Sequence, residues 1–417
     1  MDRETQQGKI VETYEGVDII ELTPNTFLYQ VHLERLQGQN IQGIMQTLMD
    51  DALLEEIMYI SPNDPVKVYH RKYGMIDTNV RLTEEQARFL IDLIAKMNDK
   101  VVNESNPILD GTLHDGSRVN ATIPPASLNY SSITIRKFAV HVINALDLIR
   151  CGELSTEVAA FLWGCIEGCG VDAVNMLISG GTATGKTTML NALSMFIPEN
   201  NRIVTIEDTA ELQLPHENIV RMVSDVKKGI TMDDLLKNSL RMRPDRIIVG
   251  EVRGPEAVTL FGAMNTGHRG CIGTLHANTA KETINRVTAP PMSVPVSQLI
   301  GLDIVINIVR IQTKRVLNEI TEITGADKNN ARFNKIFQYD AYQDKVVSTG
   351  VPSKIRIKIA QAAGLTPKQF DDILKFRERI LQDLLEQNAN TAKLMEVIAK
   401  KSGKVWEDDD HKKGFWK

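Results

Sequence analysis

The sequence predicts an α/β protein built from two domains. Its 417 residues are enough for two or three domains of about 150 residues each. In the first third, short strands and helices alternate around a hairpin signal, which is typical of a modest α+β domain. Farther along, buried apolar strands are separated by helices, which predicts a parallel sheet covered on both faces. We therefore expect domains at residues 1–143 and 156–417, joined by a linker at 144–155.

The elements of the first domain follow from apolar periodicity, caps and turn residues. Apolar residues recur at helical spacing through Gln42–Tyr59, which predicts a helix there. Thr83, with Gln86 three residues later, forms a capping box for a helix that continues through Met97. The Asp-Gly pair at 115–116 predicts a hairpin. Strands are expected at Val17–Leu22, Phe27–Leu33, Ile108–Leu113, Arg118–Ile123 and Ser132–Phe138.

The second domain is predicted from short apolar strands that alternate with capped helices. Thr231 and Thr279 are N-cap signals. We expect residues 353–417 to be helical, with a helix start at Thr366 inside this segment. Within that segment, the tail at 405–417 is a candidate for a partner contact. Strands are expected at Asn175–Ser179, Arg202–Glu207 and Arg246–Gly250, before an antiparallel meander of Asp303–Gln312, Arg315–Ile323 and Arg332–Asp340.

Composition and hydropathy disfavour two kinds of partner. Lys and Arg number 48 and Asp and Glu 53, whereas proteins that bind nucleic acid or a bare anionic membrane are usually basic. The uncharged stretches at 119–135 and 287–302 contain prolines and polar residues, so we expect no membrane span. The chain begins without an apolar leader, and its four cysteines do not make a disulfide framework. We therefore expect a cytoplasmic location.

A glycine-rich loop carries the strongest chemical signal. The residues Gly180-Gly181-Thr182-Ala183-Thr184-Gly185-Lys186-Thr187 fit the P-loop pattern between an apolar strand and a helix. Glycines let the backbone amides turn toward a β-phosphate at the positive end of the helix. Lys186 can then reach the β- and γ-phosphate oxygens, and the Thr187 hydroxyl can hold Mg²⁺. A glycine turn without a ligand is the alternative, which this strand-to-helix context disfavours.

Two further strands end in carboxylates. Glu251 follows one of them, and Glu207 and Asp208 end another. Because ligands of open α/β sheets lie at the carboxyl ends of strands, we expect these groups to converge on the P-loop. Such a carboxylate holds the magnesium-bound water or polarises the attacking water, although many strands simply end in a solvated Glu.

The histidines and cysteines give weaker signals. His268 and His276 flank the strand 271–275, and a lone His is more often a satisfied polar residue than a catalyst. Cys165 and Cys169 have no second pair at zinc-ligand spacing, so we expect them to pack in the interior. The sequence predicts no metal site beyond the Mg²⁺ of the P-loop.

Four ordered motifs resemble those of the type II/type IV secretion and pilus-assembly ATPases. They are the Walker A box at 180–188, the aspartate box at 205–212, the Walker B box at 241–253 and the histidine box at 266–278. The resemblance implies a RecA-like ATPase domain. Residues 115–120 and 134–138 look like the arginine-bearing stretches of the family's N-terminal domain. Ala289–Pro295 looks most like the corresponding stretch of archaeal members. The lack of paired Cys-x-x-Cys motifs fits the tight-adherence or archaeal branch.

Carried over position by position, the resemblance implies roles for single residues. Lys186 binds phosphates, while Thr187 and, through water, Glu251 hold Mg²⁺. Glu251 and Glu207 position or activate the water, and either of them is a candidate for the base. His276 senses the γ-phosphate or links neighbouring subunits. The resemblance also implies that Thr188 binds the nucleotide. Three arginines are implied to supply positive charge to the phosphates: Arg118, Arg136 and Arg241. For Arg118 alone, a surface arginine at the end of a hairpin is the alternative.

The resemblance also implies a mode of action. It predicts a homohexameric, Mg²⁺-dependent ATPase at the inner face of the cell membrane. Its partner would be a polytopic membrane platform protein that assembles pilin-like subunits or exports a substrate. A retraction motor and a type IV secretion ATPase are alternatives within the family. A nucleic-acid motor of the same fold would need stacking aromatics along a basic groove, so 5% aromatic residues and a net charge of −5 disfavour nucleic acid.

Overall fold

The computed structural model describes residues 8–14, 16–32, 41–138, 142–312, 314–326 and 331–401. The chain divides into unit 1, Met1–His141, and unit 2, Val142–Lys417. No helix among the described residues is long and apolar enough to cross a membrane. The tail at 405–417, where we expected a partner contact, lies outside the described residues.

The strands of unit 1 form a mainly antiparallel sheet with two helices. Its elements are β1 (Lys9–Tyr14), β2 (Val17–Thr23), β3 (Thr26–Val31), α1 (Ile41–Asp50), β4 (Leu54–Tyr59), β5 (Lys67–His70), β6 (Gly74–Thr78), α2 (Glu84–Met97), β7 (Ile108–Thr112), β8 (Arg118–Thr122) and β9 (Ser132–Arg136). The strand order is β1-β2-β3-β6-β5-β4-β9-β8-β7, and β3 with β6 is a parallel pair. The described part of unit 1 is thus an α+β arrangement.

Caps and turns in unit 1 form where the sequence predicted them. Gln86 N donates to Thr83 Oγ1 at 3.2 Å, and Thr83 N donates to Gln86 Oε1 at 2.9 Å, which completes the capping box of α2. Between β7 and β8, Gly116 has a φ of 87° in the predicted Asp-Gly turn. In β8, Val119 and Ala121 are buried and alternate with the more exposed Arg118, as expected for a sheet with one face on the core.

The helix predicted over Gln42–Tyr59 is wrong in its second half. Helix α1 ends at Asp50, and Leu54–Tyr59 is strand β4. Asp51 breaks the helix because its Oδ1 accepts a hydrogen bond from Leu53 N at 2.8 Å, as in a tight turn. Beyond it, Ile57 and Tyr59 are buried in alternation, which is the period of a strand.

Unit 2 contains a second sheet, with helices before, between and after its strands. Its elements are α3 (Ala145–Arg150), α4 (Thr156–Glu167), β10 (Met176–Gly180), α5 (Lys186–Ser194), β11 (Ile203–Glu207), β12 (Ile219–Val223), α6 (Met232–Ser239), β13 (Arg246–Val249), α7 (Glu256–Asn265), β14 (Ile272–His276), α8 (Ala280–Thr288), β15 (Ile304–Ile311), β16 (Lys314–Ala326), β17 (Ala331–Asp340), β18 (Lys345–Ser348), α9 (Lys354–Ala362), α10 (Pro367–Glu386) and α11 (Thr391–Lys401). The strand order is β12-β11-β13-β14-β10-β15-β16-β17-β18.

The predicted parallel sheet and the predicted meander are both confirmed and belong to this one sheet. The strands from β12 to β15 in that order are parallel, and β15 to β18 are antiparallel. Helices cover both faces of the parallel part. In β10, Met176 and Ile178 belong to the core cluster with α4 and α5, whereas Leu177 belongs to the opposite cluster with α7. The α/β fold class is confirmed.

Residues 144–155 are not a linker. The side-chain oxygen of Asn144 caps α3 by accepting hydrogen bonds from Leu146 N at 2.8 Å and Asp147 N at 3.1 Å. Leu146 and Leu148 are fully buried in the core of unit 2. Arg150 Nη2 donates to Ala389 O at 2.9 Å, which ties the segment to the C-terminal helices. The segment is therefore part of unit 2, because its apolar side chains are needed in that core.

Candidate functional site

The predicted P-loop connects β10 to α5. Gly180 ends β10 and Lys186 begins α5, with left-handed backbone at Ala183 (φ 60°) and Gly185 (φ 89°) between them. A Cβ on Gly180 would lie 2.4 Å from Thr184 Oγ1 and 2.7 Å from Ile308 O, so only glycine fits there. The loop therefore makes the tight turn at a helix N-terminus that a phosphate-binding loop needs.

The Lys186 side chain contacts the backbone of this loop. Its Nζ donates to Gly181 O at 2.8 Å, and Thr184 Oγ1 donates to the same carbonyl oxygen at 2.9 Å. The lysine is only 7% exposed, and this burial lowers its pKa, against the charge of Glu251. A buried ammonium whose shortest hydrogen bond goes to a carbonyl oxygen has capacity for an anionic partner.

Strand register brings Glu251 and His276 to the P-loop. On parallel strands β10 and β14, Gly180 is the Cα partner of His276. The Lys186 ammonium lies 3.4 Å from His276 Nδ1, and His276 Nε2 lies 3.2 Å from Glu251 Oε1. Three predicted site residues thus form one continuous cluster at the carboxyl edge of the sheet.

A neighbouring arginine fixes the carboxylate of Glu251. Arg253 Nε and Nη2 donate to its two oxygens, each at 2.6 Å, and Arg253 Nη1 donates to Asp208 at 3.1 Å. Burial raises the pKa of Glu251, but the hydrogen bonds and charge of Arg253, together with the charge of Lys186, outweigh burial and lower this pKa overall. Burial and the charge of Lys186 also lower the pKa of His276. At neutral pH the cluster therefore holds an ionised Glu251 and a neutral imidazole.

Glu207 lies beside Glu251 but has a different environment. A Cβ on Gly250 would lie 3.1 Å from Glu207 Cγ, so the ends of β11 and β13 approach closely. Glu207 Oε1 accepts hydrogen bonds from Glu211 N at 2.8 Å and Leu212 N at 2.9 Å. Burial raises its pKa, and these two amides oppose that rise only in part. Glu207 thus orders the chain that follows β11.

Three predicted site arginines are not brought to this cluster by the fold of unit 2. Arg241 is exposed and precedes β13, so it lies at the amino edge of the sheet, opposite the P-loop. A cavity of about 800 Å³ lined by Arg243 and Arg246 lies at this amino edge. Arg118 and Arg136 belong to unit 1, where they are Cα partners on β8 and β9. Direct partners project from the same face of a sheet, so the two arginines are neighbours there.

Sequence reasoning missed a buried amide beneath the P-loop. Asn307 in β15 is fully buried, and its Nδ2 donates to Ser179 Oγ at 3.0 Å. Asn318 Nδ2 donates in turn to Asn307 Oδ1 at 3.0 Å, which joins β10, β15 and β16 immediately before the loop. The signal that could have found Asn307 is its polarity in the otherwise apolar run 304–309. Arg253 likewise had no role predicted from any sequence motif.

The cluster fits a magnesium-bound nucleoside triphosphate. The loop can present amides, Lys186 can contact phosphates, and the half-buried Thr187 and Thr188 lie in the first turn of α5. Among the described residues, no group of three or more His, Cys, Asp and Glu side chains forms a metal site. A magnesium ion at such a site is bound by few protein groups together with phosphate oxygens, which suits this set.

Comparison with known proteins assigns the family. The profile of the family described as type II/IV secretion system protein matches residues 34–344, which is most of the chain. The chain belongs to this family. The resemblance inferred from the four boxes is therefore confirmed at the level of the family.

Individual relatives agree with this assignment. The uncharacterized protein MJ0781 of Methanocaldococcus jannaschii is 48% identical over 55% of this chain and 33% of its own length. The chain thus spans about a third of that relative. A probable conjugal transfer protein TrbB of Sinorhizobium fredii is 35% identical over 66% of this chain and 85% of its own length.

A solved structure agrees with the fold. The X-ray structure of the Yersinia pseudotuberculosis ATPase DotB covers 96% of this chain and 100% of its own, at 15% identity and a TM-score of 0.52. This likeness concerns the fold alone. The expected RecA-like domain with a smaller N-terminal domain is confirmed.

Proposed function

We propose that the protein is a Mg²⁺-dependent ATPase, and the cluster of Lys186, His276 and Glu251 at the P-loop is the observation that carries the proposal. The amides of residues 180–188 and the Lys186 ammonium hold the phosphates. Thr187 directly, and Glu251 through water, would hold Mg²⁺. When bound, Mg²⁺–ATP supplies the γ-phosphoryl group that is transferred to water, and the chain's own residues position that water.

Glu251 is the better candidate for orienting the attacking water. Its carboxylate has a lowered pKa, and it adjoins His276 and Lys186 in the cluster. Glu207 has a raised pKa, and its two backbone hydrogen bonds go to residues 211 and 212 of the segment after β11. We assign Glu207 a positioning role through the chain that it orders. A neutral His276 can donate or accept a hydrogen bond, as sensing of a γ-phosphate requires.

The three arginines are proposed to act on the phosphates in a homohexamer. Arg118 and Arg136 are adjacent on one face of the unit 1 sheet, so they can deliver two positive charges together. Arg241 lies at the amino edge of its own sheet, so its charge would serve a neighbouring subunit. An arginine that reaches a transferring phosphoryl group contributes about 10³–10⁵ to turnover in known cases.

We infer that the hexamer works at the cytoplasmic face of the membrane on a polytopic platform protein, and that pilin-like subunits are handled through that platform. The family assignment supports work in secretion or filament assembly. The similarity to a conjugal transfer protein supports the type IV secretion alternative. The relative from Methanocaldococcus jannaschii supports the archaeal branch.

Hydrolysis by the purified full chain tests the proposal. Wild type with Mg²⁺ should release phosphate from ATP, and Lys186→Ala should abolish this release because it removes the phosphate-binding ammonium. Lys281→Ala, an exposed lysine on α8, is the matched control and should keep the wild-type rate. Wild-type turnover in Lys186→Ala would show that the P-loop is not the active site.

Mixed oligomers test the arginine assignment. Arg136→Ala and Lys186→Ala should each be hexameric by mass and largely inactive. If a mixture regains activity, the arginine and the P-loop of different chains cooperate, whereas no recovery in proven mixed hexamers assigns the arginine to its own chain. Wild-type turnover in both Arg118→Ala and Arg136→Ala would exclude unit 1 from the site.

A further inference from the structure

A β-hairpin of unit 2 extends past the P-loop. Gly180 is the Cα partner of Ile308, so β15 continues to Ile311 beyond the level at which β10 enters the loop. Strand β16 returns from Lys314. The tip of this hairpin therefore lies beside the phosphate-binding loop. Its basic residues are Arg310, Lys314 and Arg315, with Arg310 directly opposite Arg315.

Arg315 is the basic residue of the tip that reaches the loop. Its Cδ lies 3.2 Å and its Nη1 3.6 Å from the position that a Cβ on Gly185 would occupy. Gly185 immediately precedes Lys186 and is one of the left-handed residues that aim the loop amides. The other two basic residues are engaged elsewhere: Lys314 Nζ contacts both oxygens of Asp344 at 2.7 Å, and Arg310 Nε donates to Gln312 O at 3.0 Å.

Positive charge therefore converges on one point. The N-terminus of α5 carries the positive end of a helix dipole, Lys186 is the first residue of that helix, and Arg315 lies against the residue before it. These positive groups on one loop favour a ligand that carries more than one negative charge. The phosphates of a nucleotide have that charge.

A buried carboxyl lies within the electrostatic influence of Arg315. Glu153 is 4% exposed, and its Oε1 has no hydrogen-bond partner among the described residues. Burial raises the pKa of this carboxyl to about 7, and the charge of Arg315 opposes the rise. Leu317 N in β16 donates to Glu153 O at 3.3 Å, so the two segments are also joined through their backbones.

We propose that Arg315 is a second cation of the nucleotide site, donating hydrogen bonds to the α- or β-phosphate of ADP and ATP bound by the same chain. This inference rests on the proposed function. Gly185 belongs to the loop that wraps the β-phosphate, so the contact would exist in both the diphosphate and the triphosphate complex. It would belong to unit 2 itself, unlike the contacts proposed for Arg118 and Arg136.

The test measures ADP and ATP dissociation constants by calorimetry on the full chain. Arg315→Met keeps the packing of the side-chain stem and removes its charge, so both nucleotides should bind about 10- to 100-fold more weakly. Arg315→Lys should fall between this variant and wild type. Arg310→Met, the cross-strand neighbour, is the matched control and should stay within about twofold. Unchanged affinity in Arg315→Met, or a loss confined to ATP, would overturn the assignment.

Comparison with Lys186→Ala separates this inference from the proposed function. If Lys186→Ala binds ADP poorly while Arg315→Met binds it normally, only the Arg315 assignment fails. If both variants bind ADP as wild type does, the P-loop itself is not a nucleotide site.

A second measurement needs no variant. Phenylglyoxal modifies accessible arginines, and mass spectrometry follows each site. ADP with Mg²⁺ should slow the modification of Arg315 several-fold and leave that of Arg310 unchanged. Equal rates at Arg315 with and without ADP would overturn the proposal.

Discussion

Glu153→Gln should stabilise the protein at alkaline pH and leave its stability almost unchanged at acidic pH. The folded chain raises the pKa of Glu153 from 4.5 to about 7, chiefly through burial. Between these two values the folded state keeps a proton that the unfolded chain releases, so this group's contribution to stability falls as pH rises through the window. The glutamine has nearly the same shape and cannot ionise.

The size of the effect follows from the pKa difference. A shift from 4.5 to about 7, at 1.36 kcal/mol per pH unit, corresponds to about 3 kcal/mol of lost stability once the pH exceeds both values. Urea unfolding of the nucleotide-free full chain at pH 5 and pH 8 measures it. Relative to wild type, Glu153→Gln should gain up to about 3 kcal/mol between the two pH values.

The exposed Glu217 provides the control for that comparison. Glu217→Gln should follow wild type closely at both pH values, because an exposed carboxylate is solvated in both the folded and unfolded states. If the difference in unfolding free energy between wild type and Glu153→Gln were the same at pH 5 and pH 8, the claim that folding raises the pKa of Glu153 would be refuted.

Two further predictions concern the P-loop and the hydrogen bonds from Arg253 to Glu251. Gly180→Ala should weaken ADP binding at least about tenfold, because its Cβ would meet Thr184 and Ile308 within 2.7 Å. Gly262→Ala in α7, where nothing lies within 4 Å of the added Cβ, should bind normally in the same calorimetric assay. Arg253→Ala should move the acid limb of the pH–ATPase profile to higher pH, since Arg253 lowers the pKa of Glu251. Equal affinity in the two alanine variants, or an unmoved acid limb, would contradict these expectations.

Local signals explain what the sequence predicted well. The P-loop, the capping box at Thr83 and the Asp-Gly turn each depend on residues within a few positions of one another. The register that places His276 beside Gly180 is a long-range pairing of strands, and only the resemblance to the family anticipated a role for His276 at this site.

Errors and omissions arose where tertiary contacts decide. The apolar period continues past Asp51, but the carboxylate of Asp51 accepts hydrogen bonds from Tyr29 Oη at 2.5 Å and Tyr14 Oη at 3.0 Å, which belong to distant strands. The segment around Leu146 was predicted as a linker because its residue pattern is loose, yet the core of unit 2 needs its leucines. The approach of Arg315 to Gly185 depends on how a distant hairpin pairs with β10, and no short motif encodes that pairing.

A single-turnover experiment on Glu251→Gln tests the central claim most directly. Labelled ATP and Mg²⁺ are mixed with an excess of full chain, and bound ATP and released phosphate are counted separately over time. Glu251→Gln should bind ATP as tightly as wild type or more tightly and hydrolyse it about 10²–10⁴-fold more slowly, because the variant keeps the shape of the side chain and loses the charge that orients water. Wild-type hydrolysis by Glu251→Gln, or an equal loss of binding and hydrolysis, would contradict the account.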